Sequence, residues 1–162
     1  MILICYDGSP DSRAAVEHAG ELLKGERATV LTVWEPFTEI VARMPWGPGM
    51  SPGIADSEKI DEASRQDAER RAREGTDLAR TAGLDARPCV CPQETTISSA
   101  ILAEAQRDDA SAIVMGTRGL TGVRSLLLGS VSHAVLQHAD RTVIVVPSPE
   151  VAAARGDGRA SA

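Results

Sequence analysis

Aromatic residues are scarce in this chain, which has one Phe, one Tyr and two Trp among 162 residues. Rings normally supply much of the buried apolar area of a domain, so a core here must be built from Val, Leu, Ile and Ala. Apolar residues still make up 43% of the chain, a share typical of globular proteins. The length therefore predicts one globular domain with a sizeable aliphatic core.

The chain also lacks long apolar runs and an excess of basic residues. No run approaches the roughly 20 residues that a membrane-spanning helix needs. Acidic residues outnumber basic ones by 23 to 17, which gives a formal net charge of −6. A surface of this sign disfavours binding to nucleic acids and to anionic membranes, so we expect neither as a partner.

Cysteine is rare too, with three residues and hence an odd number. Residues 1–7 are too short a start, and carry no basic segment, for a secretory leader, so we expect a cytoplasmic protein with reduced thiols. Cys89 and Cys91 should point to one face of a predicted strand, while Cys5 lies inside another. Because further ligands are not close in sequence, we interpret all three as small buried hydrophobes rather than as a metal site.

Short β-rich runs alternate with segments of helical periodicity along the chain. Helices are predicted from Ser9-Pro10, an N-cap followed by proline at the first helical position, over 56–82, from 95–96 and from Gly129-Ser130. Strands are predicted at 2–6, 28–34, 85–91, 112–115 and 142–146. This alternation predicts a parallel sheet covered by helices on both faces.

Two segments fall outside the alternation. Segment 35–55 contains four prolines and three glycines, which break both helix and strand, so it is predicted to be a loop that could cover a ligand. Residues 148–162 are rich in Ala, Gly, Arg and Asp and are predicted to form a disordered tail.

The most informative stretch is 115–139, which begins where the fourth predicted strand ends. Gly116, Gly119 and Gly122 form a glycine-rich loop, and Gly129-Ser130 opens the following helix. Glycines let a backbone approach an anion and point its N–H groups inward, and a helix N-terminus adds free amides and a positive dipole end. We interpret the stretch as a phosphate site, in which a side chain at Gly119 or Gly129 would block the approach and penalise positive φ.

Charged residues near this loop fit the same interpretation. Arg118 and Arg124 could pair with phosphate oxygens. The loop is neither a Walker A motif, which needs Gly-Lys-Ser/Thr, nor a dinucleotide fingerprint, which needs Gly-x-Gly. Asp7, Val33 and Gly116 fall at the carboxyl ends of predicted strands, where ligands bind in parallel sheets. Asp7 is therefore a candidate for holding a ribose, an amine edge or a metal ion bound to phosphates.

The spacing Gly116, two residues, Gly119, nine residues, Gly129-Ser130 resembles the nucleotide-binding signature of the ATP-binding subclass of the universal stress protein family. Asp7-Gly8-Ser9 resembles that family's N-terminal element, and the resemblance spans about 1–147. It implies an α/β fold with a single doubly wound, five-stranded parallel sheet of order 3-2-1-4-5. This fold is Rossmann-like and similar to the adenine nucleotide alpha hydrolases. Residues 1–147 would form the nucleotide-binding domain.

The resemblance also implies a function, that of an ATP-binding, nucleotide-dependent regulatory module of the stress response with at most slow ATP hydrolysis. We assign no catalytic residue, because no Ser-His-Asp or Cys-His pairing and no poised general base is evident in the sequence. No metal site is assigned either, although Mg²⁺ could bind through the phosphates. Backbone groups near Val33 would read the adenine edge. Serine hydroxyls in the helix could bind phosphate, with capping as the structural alternative for Ser130. The family's nucleotide contacts carry over onto Asp7, Val33, Gly116, Arg118, Gly119, Gly129, Ser130, Val131 and Ser132.

Two other functions use a similar sheet. The segment 7–12 is distantly similar to the Ser-Gly-Gly-x-Asp-Ser loop of adenylating ATP pyrophosphatase-type enzymes, but it departs from that loop at Asp7 and Ser9. That loop would also place pyrophosphate at the first strand rather than after the fourth. A phosphate-receiver domain needs an aspartate at the end of the third strand, where this chain has Cys89-Val90-Cys91-Pro92.

The last predicted strand, Thr142 to Val146, carries no charge and is followed by no helix that would cover its outer edge. An edge of this kind can pair with a second chain, and an isologous contact closes at two subunits. We therefore expect a homodimer through this strand, an arrangement that is common in the family that the chain resembles.

Overall fold

The computed structural model describes residues 1–43, 57–119, 128–150 and 152–153. Strands and helices alternate in it as the sequence predicts, with one short helix added after the second strand. The strands are β1 Ile2–Cys5, β2 Arg27–Trp34, β3 Asp85–Pro92, β4 Ala112–Gly116 and β5 Thr142–Val146. The helices are α1 Pro10–Leu22, α2 Phe37–Arg43, α3 Ser57–Thr81, α4 Ile97–Arg107 and α5 Ser130–His138.

The strands form one five-stranded sheet in the order β3-β2-β1-β4-β5, and all of its neighbouring strands are parallel. The fold class and the strand order predicted for this chain are confirmed. Because the strands are parallel, their carboxyl ends share one edge of the sheet, here termed the carboxyl edge. Their amino ends share the opposite edge, termed the amino edge.

A separate aliphatic core covers each face of the sheet. On the first face, Ile4 and Val30 pack with α1 residues such as Val16. On the second face, Leu3 and Leu31 pack with residues of α4 and α5. Successive β1 residues therefore serve opposite cores, as the period of two in a strand requires, and the predicted aliphatic character of the interior is confirmed.

The three cysteines contribute to the second core. Cys91 is buried in it, and Cys5 and Cys89 pack against it, so the prediction that Cys89 and Cys91 share a face is confirmed. Burial raises the pKa of the Cys5 and Cys91 thiols to about 12, because an ionised thiolate loses its hydration there. Among the described residues no group of three or more His, Cys, Asp or Glu side chains could hold a metal ion.

The prediction that segment 35–55 contains no helix is wrong for residues 37–43, which form α2. Pro36 stands immediately before this helix, where a proline is compatible with helix initiation, and its carbonyl accepts the amides of Glu39 and Ile40. The Phe37 amide donates to Asp61 Oδ1 of α3 at 2.5 Å. The rest of the predicted loop, 44–55, lies outside the described residues.

Ser148, the first residue of the predicted tail, is buried, and residues 149, 150, 152 and 153 are helical. The amide of Ala152 donates to the Ser148 carbonyl at 2.9 Å. Residues 151 and 154–162 lie outside the described part of the chain, so the boundary of the tail stays a prediction. Over the described ranges, no helix has both the length and the apolar character that crossing a bilayer requires.

Candidate functional site

Strand β4 leaves the sheet directly against the first turn of α1. A Cβ atom at Gly116 would lie 2.7 Å from the backbone carbonyl carbon of Asp11, closer than any real side chain tolerates. Only glycine permits this approach without a shift of the backbone. The close packing of β4 on α1 therefore fixes where the glycine loop begins.

Asp11 binds the first residues of that loop. Its carboxylate accepts the Thr117 hydroxyl and, at 3.1 Å, the Arg118 amide. The Arg118 Nε lies 3.7 Å from the same carboxylate oxygen. Asp11 is only 5% exposed, so its charge is compensated inside the protein rather than by water. The Ser9 hydroxyl adds a long contact of 3.5 Å to the Arg118 carbonyl oxygen.

Helix α5 approaches the start of the loop from the other side. The Gly129 amide donates to the Thr117 carbonyl at 2.7 Å, and the Ser132 hydroxyl donates to the Gly116 carbonyl at 2.8 Å. A Cβ atom at Gly129 would lie 3.3 Å from the Thr117 oxygen. The predicted helix start is confirmed, because α5 begins at Ser130 with Gly129 as its N-cap.

Two details of this helix start differ from the sequence-based expectation. The sequence offered helix capping as an alternative role for Ser130. In the structure Gly129 is the N-cap, with no side chain to form a cap bond, and Ser130 is the first residue of α5. The positive φ expected of the loop glycines is wrong for Gly129, whose φ is −70°, and Gly119 is not among the described glycines with positive φ. These glycines provide space for neighbouring groups rather than an unusual backbone conformation.

Asp7 faces the loop from the end of β1. Its Oδ1 accepts the Ser9 amide at 2.9 Å, in a turn where Gly8 has a φ of +84°. A Cβ atom at Gly119 would lie 2.6 Å from Asp7 Oδ2. Asp7 and Gly119 are far apart in the sequence, but they follow the adjacent strands β1 and β4. The structure therefore places Asp7 beside the glycine loop, as the sequence predicts.

Val33 lies near the end of β2, opposite Cys91 of β3. The strands that lead to Val33, Asp7 and Gly116 are adjacent in the order β2-β1-β4, so the three residues line one stretch of the carboxyl edge. Val33 and Val131 of α5 both pack against the second core. The structure thus places at this edge the nine residues onto which the family's nucleotide contacts carry over. The other two candidates, Gly122 and Arg124, lie outside the described residues.

Two residues of this region, Asp11 and Thr117, were not predicted as part of the site. In the sequence, Asp11 looks like an ordinary acidic residue in the first turn of a helix. Thr117 looks like a spacer between Gly116 and Gly119, so neither residue stands out. Their pairing joins positions 106 residues apart, and no local pattern signals it. Only the predicted topology could have indicated it. Helix α1 starts just after the carboxyl end of β1, and β4 ends at the same edge in the neighbouring position.

The fold places this chain in the class of doubly wound α/β proteins, in which ligands in general bind at the carboxyl ends of the strands. The model of the universal stress protein family matches residues 1–147 of this chain. The chain therefore belongs to the universal stress protein family, and the resemblance inferred from the glycine spacing is confirmed at the level of the family.

Two relatives match over most of their length. The chain is 33% identical over 147 residues to the universal stress protein in the QAH/OAS sulfhydrylase 3′ region of Thermus aquaticus, covering 90% of this chain and 96% of the relative. It is 29% identical over 153 residues to the universal stress protein MJ0531 of Methanocaldococcus jannaschii, covering 92% of this chain and 82% of the relative.

Solved structures share the fold at lower identity. The hypothetical protein MJ0577 superposes with a TM-score of 0.72 at 21% identity, over 90% of this chain and 94% of that one. A universal stress protein from Archaeoglobus fulgidus in complex with dAMP gives 0.58 at 20% identity, over 90% and 95%. An Arabidopsis thaliana family member with AMP bound gives 0.60 at 13% identity, over 90% of each chain.

Proposed function

We propose that this protein binds ATP at the carboxyl edge and acts as a nucleotide-dependent regulatory module of the stress response. The observation that carries the proposal is that Asp7 and the start of α5 both lie against the first residues of the glycine loop, Gly116 to Gly119. Solved relatives hold dAMP and AMP, which supports an adenine nucleotide as the ligand. Those two ligands carry one phosphate each, and we propose that this protein binds the triphosphate.

Each part of the edge has a role in this proposal. The amides of the first turn of α5 bind the phosphates at the positive dipole end of that helix, and the glycine loop lets its backbone approach them. Asp7 binds the ribose or, through Mg²⁺, the phosphates, and backbone groups near Val33 read the adenine edge. The proposed ligand-binding residues are Asp7, Val33, Gly116, Arg118, Gly119, Gly129, Ser130, Val131 and Ser132.

Hydrolysis is proposed to be slow or absent. A general base must reach the attacking water, yet the Asp11 carboxylate beside the loop is buried and already accepts two donors. The Ser132 hydroxyl likewise donates to the Gly116 carbonyl. Occupancy of the site, rather than turnover, would then carry the signal.

Titration calorimetry with ATP, ADP and AMP, with and without Mg²⁺, tests the proposal. We expect ATP to bind, and Gly119→Val to abolish binding because the added carbons meet the Asp7 carboxylate. Gly25→Ala is the matched control, since Gly25 lies at the amino edge with no atom within 4 Å of an added Cβ. Absence of binding by every adenine nucleotide at millimolar concentration would contradict the proposal.

Product analysis in the same experiment separates the module from an enzyme. Unchanged ATP, or slow release of ADP, is the expected result. Formation of AMP and pyrophosphate with a co-substrate would instead indicate the adenylating chemistry of an ATP pyrophosphatase-type enzyme.

We further propose a homodimer through β5, the outermost strand next to β4. Val143, Ile144 and Val145 are only half-buried in the single chain, and the backbone groups on the outer side of an edge strand are free to pair with a second copy. Light scattering on the parent and on Val145→Lys tests this. A parent that is monomeric at tens of micromolar, or a folded variant that remains fully dimeric, would argue against this interface.

A further inference from the structure

Asp11 has a place in the candidate site that the glycine signature does not assign. We propose that Asp11 is the positioning residue of the glycine loop: by accepting the Thr117 hydroxyl and the Arg118 amide, it holds the segment between Gly116 and Gly119 in the arrangement that receives the phosphates. The inference rests on the proposed function for its ligand, but the role of Asp11 in ordering the loop can be measured without one.

The contacts show why the loop depends on this one side chain. Both residues that Asp11 binds lie between Gly116 and Gly119, so this carboxylate joins the first turn of α1 to the segment between the two glycines. Thr117 is 2% exposed and Asp11 5% exposed, so water cannot replace their hydrogen bond. Without the Asp11 carboxylate, the Arg118 amide loses its acceptor and the segment between the glycines loses its attachment to α1.

Asp11 also determines what Arg118 can do. The Arg118 side chain is only 16% exposed, and its Nε lies 3.7 Å from the Asp11 carboxylate. Its charge therefore neutralises Asp11 at the base of the loop, rather than extending freely towards a phosphate. Arg118 is accordingly expected to contribute to the ligand site by fixing the position of the loop through Asp11, and less by contact of its guanidinium with a phosphate.

The opposite edge of the sheet provides a matched comparison. There the Asp108 carboxylate accepts the Thr29 hydroxyl at 2.6 Å and the Arg87 guanidinium at 2.8 Å. Each of the two carboxylates thus accepts a threonine hydroxyl and pairs with an arginine, and the side chains of Asp108 and Asp11 are 14% and 8% exposed. Of these two carboxylates, only Asp11 contacts the glycine loop. If both served the stability of the fold alone, substitution of either would have the same effect on ATP binding and on the loop.

The test compares Asp11→Asn and Thr117→Val with Asp108→Asn and Thr29→Val. By calorimetry, we expect the first pair to weaken ATP binding about tenfold, the scale of one hydrogen bond to a charged group. The second pair should bind ATP within about twofold of the parent, despite lower melting temperatures. Thr117→Ser retains the hydroxyl and should restore near-parental affinity. Equal weakening by both pairs would overturn the proposal.

Amide hydrogen exchange of the unliganded protein supplies the independent readout. We expect Asp11→Asn to accelerate exchange in residues 116–119 about tenfold, while Asp108→Asn leaves that segment unchanged; the same rates in both variants would overturn the proposal. If Asp11→Asn fails to fold, Thr117→Val decides the outcome by the same measurement. If the parent binds no nucleotide, the proposed function fails, and the exchange rates still decide whether Asp11 positions the loop.

Discussion

Two pairs of glycines at opposite edges of the sheet serve different purposes. At the amino edge, Gly25 and Gly83 have φ values of +82° and +93° and are joined by a hydrogen bond of 2.9 Å from the Gly25 amide to the Gly83 carbonyl. At the carboxyl edge, an added Cβ at Gly116 or Gly119 would come within 3 Å of another residue. Glycine supplies a turn conformation at Gly25 and Gly83 and space at Gly116 and Gly119, so substitution at the two pairs should have different consequences.

The largest expected effect distinguishes these two uses directly. Gly116→Ala places a Cβ 2.7 Å from the Asp11 backbone, and overpacking of this kind costs about 3 kcal/mol. Gly25→Ala meets no atom within 4 Å and should cost about 1 kcal/mol, the steric cost of the left-handed conformation. Urea unfolding measures both free energies, and equal losses would show that crowding at Gly116 is relieved by small backbone shifts.

The second prediction concerns the amino edge alone. Thr29 is 1% exposed and donates its hydroxyl to Asp108, so Thr29→Val removes a buried donor and should cost about 1–2 kcal/mol. Thr29→Ser keeps the hydroxyl and serves as the control. Urea unfolding of the two variants is the measurement, and a Val variant as stable as the parent would show that Arg87 alone satisfies Asp108.

A further effect is expected only at alkaline pH, and it concerns the carboxyl edge. Burial raises the pKa of Cys5 to about 12 from 9.0, with a further contribution from the charge of Asp7. Burial and the hydrogen bond to Glu74 raise that of Tyr6 to about 12 from 10.0. A group whose pKa is higher in the folded state stabilises that state below the unfolded value, and this stability is lost as pH rises towards the folded value.

Stability should therefore decline between about pH 9 and pH 12. The urea midpoints of the parent, Cys5→Ala and Tyr6→Phe, measured at several pH values in this range, test the expectation. Each variant lacks one of the groups and should show a shallower decline than the parent. Parallel declines in all three proteins would assign the loss of stability to other groups.

Local patterns were sufficient to predict most of the elements of this fold. Ser9 caps α1 by accepting the Ser12 amide at 3.2 Å, and Thr96 caps α4 with a reciprocal bond to Ser99. Proline after Ser9 and the short side chains at both caps make these starts visible in sequence. The strand order followed from a resemblance between glycine spacings, and not from the local patterns themselves.

Contacts between distant segments could not be predicted in the same way. The partners of Asp11 are about a hundred residues away in sequence, and the start of α2 depends on Asp61 of another helix. The φ of Gly129 likewise depends on its packing against Thr117, because glycine itself permits either sign. The sequence thus indicated which residues lie at the carboxyl edge. The hydrogen bonds among them could be identified only from the three-dimensional structure.

The pairing of β1 with β4 has a consequence for how the chain folds. The strands β1, β2 and β3 are built from one continuous stretch of sequence, and β4 and β5 from another. They meet at a seam whose ends are held by the Met1 and Ser111 pair, 110 residues apart, and by Asp11 with Thr117. Closing so long a loop is entropically costly and slow, so the seam is expected to form late in folding. Substitutions at Asp11 should then accelerate unfolding while leaving the folding rate nearly unchanged.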